Sequence, residues 1–399
     1  FRRVLFRSMP ENTRLDYSHG SVGHIDTTRT VQTFAPNLRL RVKFSKTQRL
    51  DFFYRGETNQ PSMTNLLNVV DNSNPLYIKV GNPGLKPSWS DNFRLFYNGY
   101  NTESQRGIMG NLSFTNERNA VTQMLVYDDA SGRQFTRPEN INGNWTANGG
   151  FTFNTPLNAT KMFTMSTSTN VNLSRSVGYI ATTSQSITLP DAPNLSQVNQ
   201  LFAGAVAQKS TNRISGFSEK LDFSYRRDLW DVTLDGRVSY QHSRSSLNPS
   251  QNLDTWSYDY GVSANLTLPW SISFSTDLRM TSRRGFAASE LNTNELVWNA
   301  SLSKSFLKDN ALTMRLEGFD LLNQQNNISR SLTALMRTDT RSNILNTYVM
   351  LHAIFKLNVF GGAKLPTPPE GGGPGGPGEH RGPGNFRPST PPPGGGHMF

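Results

Sequence analysis

Residues that could carry out covalent catalysis are present in this chain, but their spacing does not assemble a reactive site. Ser301-Leu-Ser-Lys304 has the Ser-x-x-Lys spacing that is typical of some serine nucleophiles. It lies, however, in a segment with a two-residue period, where positions three apart point to opposite sides of a strand. The sequence has no Gly-x-Ser-x-Gly elbow, no phosphate-binding loop and no Gly-x-Gly-x-x-Gly that opens a helix. We therefore predict that the protein is not an enzyme and has no catalytic residues.

Residues that could bind a metal are equally scattered. Asp128-Asp129-Ala-Ser-Gly132 resembles the start of a calcium loop but lacks the distal glutamate, so a turn is the better interpretation. The absence of cysteine excludes disulfides and thiolate metal sites. The histidines have no spacing typical of a metal site; they are His19, His24, His242, His352, His380 and His397. We predict no metal and no cofactor.

The elements that would position any site are β-strands with alternating residues. In Trp256–Leu268 every even position is apolar or aromatic and every odd position is polar or glycine. This pattern places all the apolar side chains on one face of a strand. It recurs in about thirteen segments, whose clear examples run for about 10–16 residues against roughly 5–6 in soluble sheets. The pattern predicts an all-β protein, a transmembrane antiparallel up-and-down β-barrel.

The connections between these segments alternate between short and long. In outer-membrane barrels the short turns are periplasmic and the long loops are extracellular. Thirteen strands is an odd number, so the first strand is expected to begin outside, which predicts that part of the barrel lies upstream. Ligand-binding residues are unknown; the candidate loops are 56–89, 177–211 and 321–342. Within the second loop, Leu195–Ala207 has helical apolar spacing and is predicted to be a packed loop element.

The chain divides into four predicted regions. Residues 1–8 (FRRVLFRS) resemble translated sequencing-adapter read-through, and residues 9–36 are interpreted as an extracellular loop remnant. Residues 37–360 form the predicted barrel. Residues 361–399 hold 13 of the 32 glycines and 10 of the 22 prolines, which predicts a disordered periplasmic tail. The net charge of +11 is spread along strands and turns, so we expect no nucleic-acid partner.

Three pairs of motifs resemble the barrel of TonB-dependent outer-membrane receptors of the Bacteroidetes type. The first pair is Phe34–Val42 with Phe53–Ser62. The second is Asn72–Leu76 with Gly81-Asn-Pro-Gly-Leu-Lys-Pro87, where Ser88 replaces the family's glutamate. The third is Phe319-Asp-Leu-Leu-Asn-Gln-Gln325 with Asp339–Leu345. Together they span most of residues 34–362.

The resemblance implies a C-terminal fragment, about 13 strands of a 22-stranded outer-membrane barrel that a plug closes. In isolation such a fragment is expected to form an open, curled sheet, since its edges lack partners. The implied function is uptake of a large scarce nutrient, of the siderophore, glycan or peptide class, with plug gating. The implied partners are outer-membrane lipid, the barrel-assembly machinery, the TonB complex through the plug, and a surface lipoprotein. Two alternatives remain: a non-transporting surface barrel or adhesin that binds proteins or glycans, and a soluble β-sandwich.

Overall fold

The computed structural model of the chain consists almost entirely of β-strands. It describes residues 2–19, 23–128, 132–182, 189–190, 192–247, 249, 252–286, 289–307, 310–325, 328–332, 337–341 and 347–356. The strands are β1 Arg2–His19, β2 Gly23–Lys43, β3 Gln48–Asn59, β4 Val70–Asp71, β5 Tyr77–Val80, β6 Ser88–Asn101, β7 Arg106–Arg118, β8 Ala120–Tyr127, β9 Gln134–Ile141, β10 Asn144–Pro156, β11 Phe163–Thr182, β12 Val206–Arg227, β13 Trp230–Ser245, β14 Leu253–Leu268, β15 Ile272–Arg284, β16 Asn294–Phe306, β17 Leu312–Phe319, β18 Ile328–Leu332, β19 Arg337–Arg341 and β20 Tyr348–Phe355. Two helices lie between them, α1 Met63–Leu66 and α2 Leu195–Gly204.

Most strands form one antiparallel sheet, which we call the wall. Its spatial order is β1-β2-β3-β6-β7-β10-β11-β12-β13-β14-β15-β16-β17-β20, with every neighbouring pair antiparallel. Connections alternate along the chain between a short-turn end and a long-loop end. Among the described residues β1 and β20 do not pair, so the sheet is open rather than closed. The predicted all-β, up-and-down strand order is confirmed.

The alternation places apolar side chains on one face of the wall, which we call the outer face. Many of them remain uncovered: the exposed fraction is 68% for Leu351, 59% for Leu112 and 56% for Tyr260. The fully buried apolar residues lie instead in the long connections and at the long-loop end of β11. A soluble sandwich would bury such a face against a second sheet. Within the described residues the wall packs against no second large sheet, so the sandwich alternative is wrong as a fold. A bare apolar face is the pattern expected of a barrel wall.

The opposite face, which we call the inner face, is polar and carries paired charges. Arg279 on β15 makes two hydrogen bonds to Asp235 on β13, of 2.9 and 3.1 Å, across the intervening strand β14. Gly261 lies between them in the register, and a Cβ there would come within 2.7 Å of a backbone oxygen of β15. The missing side chain therefore leaves room for an ion pair that spans three strands. Arg41 and Asp51 form a second pair, at 2.5 Å.

The N-terminal region differs from the sequence-based expectation. Residues 9–36 were expected to form a loop remnant, but β1 and β2 pair along an unbroken register from Arg2–Leu40 to His19–Gly23. A ladder of backbone hydrogen bonds does not need the alternation on which the strand count was based. The wall accordingly has fourteen described strands instead of about thirteen. An even number of strands gives no reason to expect that the first strand begins outside. That residues 1–8 derive from an adapter stays a prediction, as does the tail, which lies outside the described residues.

No helix within the described residues is both long enough and apolar enough to cross a membrane.

The motif that begins at Phe319 is a tight turn organised by Asp320. This residue is 1% exposed and has a φ of +42°, and its carboxylate accepts the backbone N–H groups of Gln324 (3.1 Å) and Gln325 (2.9 Å). Asn299 on β16 accepts the N–H of Asp320 at 2.9 Å, which fastens the turn to the wall. The motif thus has a structural role.

We expect Asp320→Ala to destabilise the protein by about 1–3 kcal/mol, because two backbone N–H groups lose the buried carboxylate that accepts them. Asp320→Asn keeps one acceptor oxygen and should lose less. The measurement is urea unfolding in detergent, and an Asn variant as unstable as the Ala variant would contradict this role for the carboxylate.

Candidate ligand-binding cap

A smaller part of the same sheet branches from β11 at the long-loop end of the wall, and we call it the cap. Its strand order is β4-β5-β9-β8-β11, in which β5–β9 and β8–β11 are parallel pairs. The cap brings together three connections that are far apart in sequence. The end of the wall strand β11 extends into it and pairs with β8. In the wall itself β7 pairs directly with β10, so the β8–β9 hairpin is an insertion between two neighbours.

One face of the cap packs against α2 and holds the main apolar core of the described residues. Ile78, Phe135 and Val126 are each 0% exposed and belong to the same apolar cluster as Val198 and Phe202 of α2. The helix begins at Asn194, whose side chain accepts the N–H of Gln197 in a reciprocal capping box. The helical spacing noted in Leu195–Ala207 is confirmed as a packed loop element.

Two arginines strengthen this packing, Arg137 of β9 and Arg133 directly before this strand. Arg133 is nearly buried and donates to the backbone oxygens of Leu189 (2.6 Å) and Pro190 (2.8 Å). Arg137 pairs with Glu139 at 2.7 Å, and its guanidinium lies 4.6 Å from the ring centre of Phe202. Both contacts tie the β9 strand to the connection that carries α2.

The opposite face of the cap sheet lines a cavity of about 510 Å³. Hydrogen-bonding groups surround it, with one lysine, one aspartate and one tyrosine among them; the polar lining residues are Thr64, Asn65, Asp71, Tyr77, Lys79, Gln123 and Thr136. The ammonium group of Lys79 lies 5.2 Å from the ring centre of Tyr77. Charges of both signs and neutral amides therefore share one concave site.

The segment Asn82-Pro-Gly-Leu-Lys-Pro87 fastens one wall of this cavity. The Asn82 amide donates to the backbone oxygen of Pro138 (2.9 Å). The amide of Asn140 accepts the N–H of Lys86 (2.7 Å) and donates to its carbonyl oxygen (2.9 Å). A Cβ on Gly81 would come within 1.9 Å of the backbone oxygen of Leu67, so only glycine fits there. The motif holds the cap together and does not itself supply a reactive group.

The structure brings together two of the three candidate loops. Loops 56–89 and 177–211 both contribute to the cap. Of loop 321–342, the described parts include the hairpin β18–β19, which forms a separate two-stranded sheet. The β8–β9 hairpin lies in none of the three candidate loops, so its contribution to the cap was not predicted. Asn119, whose φ is +52°, separates β7 from β8.

The residues singled out for possible chemistry remain apart. Ser301 pairs with Ser275 on the inner face, whereas Lys304 lies on the outer face with its ammonium group 5.2 Å from the ring centre of Phe306. His242 contacts Asp254 at 2.5 Å. No group of three or more histidine, aspartate or glutamate side chains that could hold a metal occurs in the described part of the chain.

Comparisons with known proteins complete the description. The chain resembles crystal structures of the ferric enterobactin receptor PfeA: one complex with BCV-L6 has a TM-score of 0.43 at 9% identity, and a mutant from Pseudomonas aeruginosa bound to enterobactin has 0.43 at 8%. Each alignment covers 80% of this chain and 43% of the receptor chain, so this chain spans less than half of the receptor's length. No curated protein sequence matches it. The outer membrane protein beta-barrel family matches residues 10–202 and 209–355 of the chain. Because these residues make up most of its length, the chain belongs to that family.

Proposed function

We propose that the chain forms the barrel of a TonB-dependent receptor, which captures a large scarce nutrient at the cap and passes it inward under the control of a plug. The cap cavity is the observation that carries this proposal. A concave site at the long-loop end suits ligand capture, and the paired charges of the inner face suit a polar passage.

The lining of the cavity favours a glycan or a peptide within the proposed siderophore, glycan or peptide class. Amides and hydroxyls can donate and accept hydrogen bonds, and Tyr77 offers an apolar surface for a sugar ring or a side chain. Lys79 and Asp71 are register partners on β5 and β4, so a cation and an anion belong to the same face of the cap. A ligand with many like charges would meet repulsion from one of them.

The orientation and partners belong to the same proposal. We place the long-loop end outside the cell and the short-turn end in the periplasm, in outer-membrane lipid. The barrel-assembly machinery would insert the wall, the TonB complex would act through a plug, and a surface lipoprotein would cover the cap. We expect neither nucleic acid nor cofactor to bind.

Ligand binding tests the cap directly. The protein in detergent is titrated with oligosaccharides, oligopeptides and a ferric siderophore. For the compound that binds, Lys79→Met/Gln123→Leu should weaken affinity about tenfold or more, since two polar contacts of roughly 1 kcal/mol each are lost. Lys43→Met/Gln48→Leu makes the same chemical change at the short-turn end and should bind normally. Equal affinity in both double variants would refute the cap as the site.

Energised uptake separates a receptor from an adhesin. Cells that express the complete gene containing this chain are given the labelled ligand, with and without a proton ionophore. A receptor loses accumulation but keeps surface binding when the ionophore is added. Unchanged accumulation, or a complete gene without a plug-encoding segment, would favour the adhesin instead.

A further inference from the structure

A row of arginines crosses the outer face of the wall at its long-loop end. Arg175 of β11, Arg213 of β12 and Arg244 of β13 lie directly opposite one another in the register of three neighbouring strands. Opposed residues of antiparallel strands have Cα atoms about 4.5–5.5 Å apart. They share a face with the apolar Phe217, and Lys209 lies on the same face of β12. Four cations therefore occupy one small area.

Acidic partners are too few for these cations. Arg244 pairs with Asp254 at 3.1 Å, but Asp254 also contacts His242 at 2.5 Å. Arg175 and Arg213 have no ion pair and no side-chain hydrogen bond within the described ranges, and the buried Nε of Arg175 has no hydrogen-bond partner there. Like charges that face each other across a sheet are destabilising. The row is therefore short of negative charge.

Two other carboxylates on the described outer face already have partners. Asp91 lies in the same register row as Arg175, three strands away, and pairs with Arg118 at 2.7 Å. Glu219 lies six residues along β12 from Arg213, and its two oxygens already accept hydrogen bonds from Thr167 and Thr169. An anion from outside the chain is left to neutralise the row.

Two of the cationic groups converge on one point at the rim. A Cβ built on Gly143 would lie 3.7 Å from Cζ of Arg175 and 3.8 Å from Nζ of Lys209. Gly143 has a φ of +120°, and it presents no side chain to this space. Lys209 donates to the carbonyl oxygen of Asn142 at 3.1 Å and keeps further donors available. The two cationic groups therefore lie close to each other beside Gly143, next to Cγ2 of Val177, where one anion could contact both.

The surface directly beneath the row is apolar. Leu173 and Val171 follow Arg175 towards the short-turn end, and their exposed fractions are 37% and 38%; Phe217 on β12 has 44%. Cations above apolar side chains on a lipid-facing surface match a molecule with an anionic head and acyl chains. A free anion would contact only the row of cations and would leave the apolar side chains beneath it uncovered.

We propose that Arg175, Arg213 and Lys209 bind the phosphate of a lipid headgroup in the outer leaflet, with the acyl chains lying on Leu173, Val171 and Phe217. The phosphate oxygens accept charge-assisted hydrogen bonds from the guanidinium and ammonium groups. The inference rests on the proposed orientation of the barrel, because only that orientation places the row at the outer leaflet.

The test measures binding of bisphosphorylated lipid A to the full chain in detergent. Arg175→Gln/Arg213→Gln should weaken binding about thirtyfold, because each arginine near an anionic lipid contributes about fivefold. Arg175→Lys/Arg213→Lys keeps the charge and should retain most of the affinity. Arg94→Gln/Arg237→Gln removes two inner-face arginines that have no ion pair in the described part of the chain, and it should bind normally.

Two further arms identify the source of the phosphate. The unmodified protein should bind dephosphorylated lipid A about as weakly as the double Gln variant binds the phosphorylated form. Millimolar inorganic phosphate should not displace the bound lipid. Equal binding of the dephosphorylated lipid, displacement by phosphate alone, or normal binding by the double Gln variant would each overturn the proposal. Cap-ligand binding should be unchanged in that variant, so its loss would point to misfolding, and the receptor function is tested separately by uptake.

Discussion

Arg279→Met is expected to lower the free energy of unfolding by about 2–4 kcal/mol. The Asp235 side chain is 7% exposed and its two hydrogen bonds from Arg279 are its only ion pair within the described residues. Removing one partner of a buried pair leaves an uncompensated charge, which costs about 3–5 kcal/mol when both partners are buried. The Arg279 side chain is 39% exposed, so water will reduce that loss. Urea unfolding in detergent, followed by tryptophan fluorescence, gives the value.

A second substitution identifies the cause of that loss. Adding Asp235→Leu to Arg279→Met removes the stranded carboxylate and should recover most of the stability, since an apolar pair can replace a buried ion pair. Arg237→Met changes a neighbouring inner-face arginine and should stay within about 0.5 kcal/mol of the parent. A double variant no more stable than Arg279→Met would show that the arginine acts through packing and not through the ion pair.

Phe135→Ala is expected to unfold the cap while the wall persists. Phe135 is 0% exposed at the centre of the apolar core shared with α2, and loss of a buried phenylalanine costs about 3–5 kcal/mol. The cap is small and rests largely on this core, so that loss should dominate its local stability. Hydrogen exchange should show faster exchange of amides in β5, β9 and α2, with unchanged protection in β13–β15.

Phe151→Ala provides the matched control for that experiment. Phe151 lies on the outer face of β10 and is 46% exposed, so the same truncation removes no contact of the cap core. Cap protection in this variant should equal that of the parent. Protection that stays normal in Phe135→Ala would mean that the cap is held chiefly by its backbone ladders.

The sequence predicted the wall better than the cap. Alternation in segments such as Trp256–Leu268 is set by one exposed face, a local property that a single strand reveals. The cap depends on pairings between remote segments, such as Ile78 with Phe135, and no local period reports such a partner. β1 was missed because residues 1–8 resemble adapter read-through and the following residues were interpreted as a loop, although the backbone of β1 pairs throughout with β2.

The sequence indicated two of the loops that form the candidate site but not how these loops are arranged. Loops 56–89 and 177–211 were selected by length, and Leu195–Ala207 by helical spacing; both expectations correspond to parts of the cap. The cavity lining could not be predicted, since it depends on which side of β5 and β9 faces α2. The arginine row was also hidden, because Arg175, Arg213 and Arg244 become neighbours only through the register of three strands.

The parallel pairs of the cap have a consequence for the order in which the molecule folds. Tyr77 pairs with a residue 57 positions later and Met124 with one 55 positions later, whereas wall strands such as β12 and β13 meet through a tight turn. Contacts between distant segments form slowly, since the entropy of closing a long loop must be lost first. Hairpins of the wall can therefore assemble one after another, and the cap, with its cavity, completes last. Refolding followed in time should show the binding site maturing after the β-structure has reached its final content.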